Sequence, residues 1–514
     1  MRLSLFIRRR GQSGVEPPHS KAWIARAMSL CLLSACAGGP TGADTPVVIV
    51  DGIDNTAQLR TVQLRTMEDL HTMRGQRISL VRRADVDLAK LAELEKSGEF
   101  SSFQAFYGQA EQEVTSEPAR PSLLWQGGRW VPRDFDSLML VTAYAHLEEI
   151  MAFFRTVVRD ESGATKNPLS VGLYATVHSG GKLSLGDLSG NAFYSRLPDM
   201  LFVLRTGAER WLPYGLNKTV LAHEFAHRVF QYNVWVRQPQ VQQYVWASPG
   251  RYLQGNPTLL FFRATDEGLA DLAAILFTGD PSAFGYAFRG GFNGQTRDLQ
   301  SSFAQEATYD KLMQTKSPFA QQWQCHYSED AMWYCLGTVL VRTLLDAAAP
   351  EGSMEEKITR LRQHFAPLLP RILQDVGSYI AASQGYYGIN VFFHQAVSRL
   401  RQVDDSSSRQ LALHLCEATR KRFTSLTNPG MLPACFVPVE VEVRHGEQGE
   451  KERKDAYFWW PDYEKGEHKR VLVEFKQQDP ATGREVSRYI PMEVTGSARL
   501  RKQASGVSLD LGVR

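Results

Sequence analysis

Cysteine is scarce in this chain, with six in 514 residues, and no pair has the C-x-x-C spacing that a zinc ribbon or thiol redox centre requires. Both are excluded as the source of function. No uninterrupted apolar run reaches 18 residues, so no unbroken segment has the length and composition of a membrane-spanning helix. Neither sign of charge dominates, because 58 Lys and Arg face 55 Asp and Glu for a net +3, which gives no electrostatic case for nucleic acid. Basic clusters are limited to Arg8-Arg9-Arg10 and a mixed-sign stretch at 451–454, which reads as solvated surface. Internal repeats and a calcium loop of the D-x-D-x-D-G type are also missing, so calcium is not implied. What remains is an ordinary globular composition, 43% hydrophobic and 22% charged, long enough for roughly two to four domains.

The amino terminus combines a basic leader with a short apolar segment that ends in Leu33-Ser34-Ala35-Cys36 and then Ala37-Gly38-Gly39-Pro40. This is the composition of an export signal, and the last four residues of the segment resemble the bacterial lipoprotein box, in which the cysteine is lipidated and everything before it is removed. A plain cleavable signal or an unstructured tail is the alternative. The lipoprotein reading makes 1–35 a signal peptide, Cys36 the lipid anchor, and the protein an exported one on an outer or cell-surface membrane, facing periplasm or exterior. Cys325, Cys335, Cys416 and Cys435 would then fold in an oxidising compartment. Proximity in sequence favours Cys325 with Cys335 and Cys416 with Cys435, although free buried thiols are the other use.

Along the chain, 46–50 reads as a strand and 86–96 and 103–114 carry helical periodicity. Apolar residues at helical spacing over 134–158 predict a helix in which His146 is a core or surface residue rather than a ligand. A Gly- and Ser-rich stretch, 179–190, lies between β-forming segments 171–177 and 200–204. Pro239, Pro249, Gly250, Gly255 and Pro257 break up the region after 232, and a helix over 265–278 is expected to start at a Thr265 or Asp266 cap and stop at Gly279. Irregular structure is expected over 280–324, helices over 330–347, 354–376, 389–401 and 408–423, and a β-rich appendage from 435 onward. Trp459, Trp460 and Tyr463 in that appendage read as a packed core rather than a binding face.

The chemistry is concentrated in His223-Glu224-Phe225-Ala226-His227, an H-E-x-x-H pattern inside an apolar helical run over 217–232. Residues four apart share a helix face, so both imidazoles can meet one metal with Glu224 beside them as a base. A catalytic zinc takes three protein ligands, and the run Asp266-Glu267-Gly268-Leu269-Ala270-Asp271 offers Glu267 as the third, with Asp271 one turn on to accept the spare ring N–H of a histidine. Read more simply, both carboxylates decorate the first turn of a helix.

At this point the chain resembles the gluzincin metallopeptidases, the thermolysin-like and fungalysin-like group. The resemblance rests on H-E-x-x-H, on E-x-x-x-D at Glu267 and Asp271, and on Asn191-Ala192 standing 32 residues before His223, where the family keeps an edge strand that aligns the substrate. His326, just ahead of a helix, matches the family's oxyanion-stabilising histidine in order. The chain departs from the pattern in the 40-residue step from His227 to Glu267, and in Gln238 where thermolysin keeps a tyrosine; Tyr232, Tyr244 or Tyr327 are the substitutes available. The resemblance implies an α+β fold, with a thermolysin-like zincin domain and an all-β appendage, one zinc ion per chain, and peptide or protein substrates. Peptide bonds would be hydrolysed by a zinc-bound water with Glu224 as base and His326 at the oxyanion. The expected division is 1–35 signal, 36–133 propeptide or accessory region, 134–434 catalytic domain and 435–514 β domain. A narrow-specificity, aminopeptidase-like enzyme and a surface-binding lipoprotein on an inactive scaffold are the competing readings.

Overall fold

The structure is a computed structural model that describes residues 39–52, 57–87, 90, 113–178, 192–196, 198–204, 213–235, 257–287, 292–314, 316–326, 329–383, 387–444, 451–467, 470–479, 483–495, 500–503 and 506–513. Cys36, Asn191, Tyr244, Tyr327 and the Gly- and Ser-rich 179–190 lie outside the described residues.

The described residues of 45–132 form eight strands. β1 (Thr45–Asp51), β2 (Gln58–Leu64), β7 (Leu123–Gln126) and β8 (Arg129–Pro132) make a four-stranded sheet in the order β2-β1-β8-β7. A second sheet of seven strands runs β10-β11-β9-β5-β4-β3, with β6 also on β5. Its members are β3 (Met67–Asp69), β4 (Arg74–Gly75), β5 (Ile78–Asp87), β6 (Thr115–Pro118), β9 (Leu169–His178), β10 (Ala192–Ser195) and β11 (Met200–Leu204). Val86 and Asp87 belong to a strand rather than to the start of the expected 86–96 helix, because β5 pairs in parallel with β9, where Val86 faces Val177; Lys90 is helical, and the rest of 88–96 and nearly all of the expected 103–114 helix lie outside the described residues. The short β10 pairs antiparallel with β11 and is the edge of the sheet among the described residues.

The helices pack beside this sheet. α1 (Phe135–Thr156) starts where the Asp134 side chain caps the N–H of Ser137. It is long and apolar enough to cross a membrane, but 83% of its most apolar window is buried inside the fold, as expected of a core helix. α2 (Lys218–Phe230) is capped by the Asn217 side chain and runs into a π-helical turn at Gln231–Trp235. α3 (Pro257–Thr278) begins well before the expected Thr265 or Asp266 cap. Leu259, Phe261 and Phe262 extend its buried face backwards, and proline at the first helical position gives up an N–H that has no helical partner anyway. Gly279, with φ of 80°, ends it as expected. The stretch 280–324 is less irregular than its composition suggests, since it holds several one-turn helices, among them α4 (Phe292–Arg297).

α5 (Glu329–Ala348), α7 (Ile389–Gln402) and α8 (Ser406–Arg422) match expectation. The predicted 354–376 helix is broken: Met354–Arg360 passes through a π turn and a 3-10 turn before α6 (Leu369–Ala382), where Pro367 and Pro370 cannot donate to the ladder. Disulfides join Cys325 to Cys335 and Cys416 to Cys435, the pairing that proximity favours.

The carboxyl-terminal sheet contains β12 (Phe436–Arg444), β13 (Lys451–Trp459), β14 (Arg470–Gln478), β15 (Glu485–Thr495), β16 (Leu500–Gln503) and β17 (Gly506–Val513). β17 pairs in parallel with β12, so the sheet closes on itself. Trp459 and Trp460 are buried under Arg420 and Arg401, which lie 5.0 and 4.2 Å from the ring centres. This is the packed arrangement.

Candidate metal centre and catalytic cluster

α2 is buried on nearly every side, with Val220, Leu221, Phe225 and Val229 in the core, so the polar residues at 223, 224 and 227 are desolvated by the same packing. His223 and Glu224 keep 5% and 6% of their surface. The Nε2 atoms of His223 and His227 lie 3.0 Å apart and face each other. Ligating atoms of His223, Glu224 and His227 all fall within 4.8 Å of one another.

α3 brings three carboxylates to this pair. Glu267 Oε2 stands 3.3 Å from His223 Nε2 and 3.6 Å from His227 Nε2, buried and without a hydrogen bond of its own. Asp271 Oδ1 lies 2.9 Å from His223 Nδ1, and Asp266 Oδ1 lies 2.8 Å from His227 Nδ1. Each ring is thereby oriented through Nδ1 with Nε2 turned inward, as in carboxylate–histidine–metal arrangements. Asp266 is no helix cap but the counterpart of Asp271 on the second ring, a role the sequence conceals because the helix start was misplaced.

Arg297 is a second residue that the sequence does not reveal. It is 2% exposed, and its Nη2 and Nε bind both oxygens of Asp271, the Nε contact at 3.0 Å. It projects from the six-residue α4, in a stretch whose composition reads as surface, and no pattern in that stretch signals it. Its guanidinium lies between Phe284 and Tyr334, 4.5 and 4.6 Å from the ring centres. Burial, followed by the nearby Glu267 carboxylate, pushes the Tyr334 phenol pKa well up.

Glu224 is also tied to a second element. Its Oε2 accepts the backbone N–H of Tyr194, in edge strand β10, at 2.9 Å. Burial raises its pKa above the carboxylate norm, against the lowering influence of His223 and His227. Glu267 moves the opposite way: burial works to raise it, but the His227 and His223 rings hold it well below normal. Burial would lower His227, yet Asp266 and Glu267 lift it well above the usual histidine value. Asp271 is kept low by Arg297 despite burial. Four carboxylates, against the guanidiniums of Arg297 on Asp271 and of Arg263 on Asp266, at 3.9 Å, make a pocket that favours added positive charge.

Three lone-pair atoms, two Nε2 and Glu267 Oε2, converge at 3.0, 3.3 and 3.6 Å from each other. That is the spacing of donors around a metal held tetrahedrally at about 2.0–2.2 Å, so these residues fit zinc. The spacing and buried geometry of His223, Glu224 and His227 match the gluzincin HExxH motif. The chain carries a zinc metallopeptidase active site. No family model matches the sequence, and no curated protein does. Among solved structures the chain is similar to the precursor of protealysin, a metalloproteinase from Serratia proteamaculans, at 13% identity and a TM-score of 0.36, covering 66% of this chain and 87% of that one. The motif and its surroundings carry the assignment, not that distant likeness.

The remaining site residues of the gluzincin pattern are dispersed. Ala192 opens β10 and is buried. His326 is exposed in the turn after Cys325, and no hydrogen bond or ion pair joins it to the cluster among the described residues. Tyr232 gives its hydroxyl to Asp199 at 2.7 Å.

Proposed function

We propose that the protein is an exported, lipid-anchored zinc endopeptidase in which His223, His227 and Glu267 hold one zinc ion and Glu224 is the general base. The observation that carries this reading is the division of labour between two buried glutamates. Glu267 turns an unpartnered oxygen toward both imidazoles, whereas Glu224 is held from the opposite side by the Tyr194 N–H. Zinc bound there supplies Lewis-acid polarisation of the scissile carbonyl and a nucleophilic water at neutral pH.

Asp271 and Asp266 keep the Nδ1–H of each histidine engaged, which leaves Nε2 as the donor atom. Arg297 holds Asp271 in turn. Glu224, a carboxylate beside the two imidazoles and held by the Tyr194 N–H, is placed to take a proton from the attacking water and pass it to the leaving amine. Backbone groups alternate in direction along a strand, so Ala192 shares the outward side from which Tyr194 reaches Glu224, and an extended peptide laid along β10 would pass the base.

Export is supported by the basic leader, the Leu33-Ser34-Ala35-Cys36 box and two disulfides. Residues 45–132 stay on the active enzyme in this account, because β5 is an interior strand of the sheet and its removal would leave β9 paired with β11 on one side and bare on the side that β5 covers. The test is digestion of a proteome-derived peptide library by the purified protein with Glu224→Gln as control, with new termini read by mass spectrometry. Internal cuts that vanish in the variant are expected. Cuts confined to chain ends would replace the endopeptidase with an exopeptidase, and an absence of Glu224-dependent cuts would leave a binding scaffold.

A further inference from the structure

Arg228 directly follows the second histidine of the motif but serves the opposite side of α2. It is fully buried, and its Nε and Nη2 bind the two carboxylate oxygens of Asp199, each at 2.8 Å. Nη1 and Nη2 also donate to the carbonyls of Ala164 and Pro168, at 2.8 and 2.7 Å. Asp199 further accepts the Tyr194 hydroxyl at 2.8 Å and the Tyr232 hydroxyl at 2.7 Å. Two bonds fall on each oxygen, so the carboxylate's accepting capacity is filled.

The position of Asp199 in the chain gives this node its consequence. It closes the turn between β10 and β11, its N–H bonding the Arg196 carbonyl at 3.1 Å, in the left-handed backbone region with φ of 62°. Aspartate is among the few side-chain-bearing residues that visit this region readily. Tyr194 is thus held twice, by its phenol on Asp199 and by its backbone N–H on Glu224. β10 has four residues and pairs with β11 among the described strands, and the Asp199 contacts add a tie to α2 that strand pairing does not supply.

We propose that Asp199 is a positioning residue for catalysis: anchored to α2 through Arg228, it holds Tyr194 so that the base and the substrate-aligning edge strand keep one fixed relation. The proposal rests on the peptidase reading above. Asp199 touches none of the reacting groups and acts through Tyr194. Displacement of a catalytic group by about 1 Å costs on the order of 100-fold in rate, so a loosened strand should be visible in kcat.

Two variants test it. Asp199→Asn removes the charge that pairs with Arg228, and Tyr194→Phe leaves that ion pair intact while cutting the phenol link, so it stays informative where the first fails to fold. Zinc content, kcat, KM and hydrogen exchange of the peptide spanning 192–204 are measured on each full-length protein. The expected result is one zinc per chain, faster exchange across β10, a fall in kcat of about tenfold or more, and a smaller change in KM. The double variant should be little worse than the stronger single one, because both cut one path. Unchanged exchange, or unchanged kcat in folded, zinc-loaded Tyr194→Phe, would overturn the proposal. Wild-type protein without Glu224-dependent cleavage would instead overturn the peptidase reading, a result separate from the exchange arm.

Discussion

Gly268 and Gly337 meet backbone to backbone where α3 crosses α5. A Cβ on Gly268 would lie 2.8 Å from the Gly337 carbonyl oxygen, and one on Gly337 would lie 3.0 Å from the Gly268 nitrogen. Because Gly268 follows Glu267, this close approach sets how far the metal-facing carboxylate stands from the helix that carries Tyr334. Gly337→Val is therefore expected to push the two helices apart, costing roughly 1–3 kcal/mol of stability and weakening zinc binding. Thermal unfolding with and without a chelator reads both effects. A variant with wild-type stability and zinc affinity would show that the crossing is not needed.

Glu267 and Asp266 should separate ligation from orientation. Glu267→Ala removes the one buried oxygen that faces both Nε2 atoms without a hydrogen bond, and the purified protein is expected to lose its zinc. Asp266→Asn keeps a partner on His227 Nδ1 and should weaken zinc by about 10- to 100-fold in chelator competition. A full zinc complement in Glu267→Ala would remove Glu267 from the ligand set.

Both helices of this cluster were legible in the sequence because helical spacing turns a linear pattern into a shared face: H-E-x-x-H on α2 and E-x-x-x-D on α3 each carry their geometry within a turn. Arg297 and Tyr334 were not, since they reach the cluster from α4 and α5 through tertiary packing that no local period encodes. Asp266 was legible as a residue but not as a role. The strand β5 was hidden by Arg82-Arg83, where Arg83 takes φ of 49° and the charged pair interrupts the apolar alternation. In β13 the run Lys451-Glu452-Arg453-Lys454 reads as solvated charge, although its backbone pairs with β12 along its whole length.

His146 offers a pH test at a distance from the metal cluster. It is fully buried in α1, neither ring nitrogen has a hydrogen bond, and desolvation pushes its pKa down to about 4, with Asp51, Lys218 and Arg60 as the charged groups around it. A histidine depressed in the folded state binds its proton first when unfolded, so stability should fall as pH drops from about 6.5 toward 4, by about 3 kcal/mol in all. His146→Leu should flatten that part of the stability profile. Identical acid slopes in variant and wild type would mean that His146 takes up its proton in the folded state as readily as in the unfolded one.

The most direct measurement is zinc stoichiometry and peptide turnover together in Glu224→Gln. Glu224 accepts the Tyr194 N–H and is not one of the three proposed ligands, so the variant should retain one zinc per chain while turnover falls by about 10²- to 10⁴-fold. Full activity in the zinc-loaded variant, or loss of the zinc itself, would contradict the assignment of Glu224 as base and of the cluster as a peptidase centre.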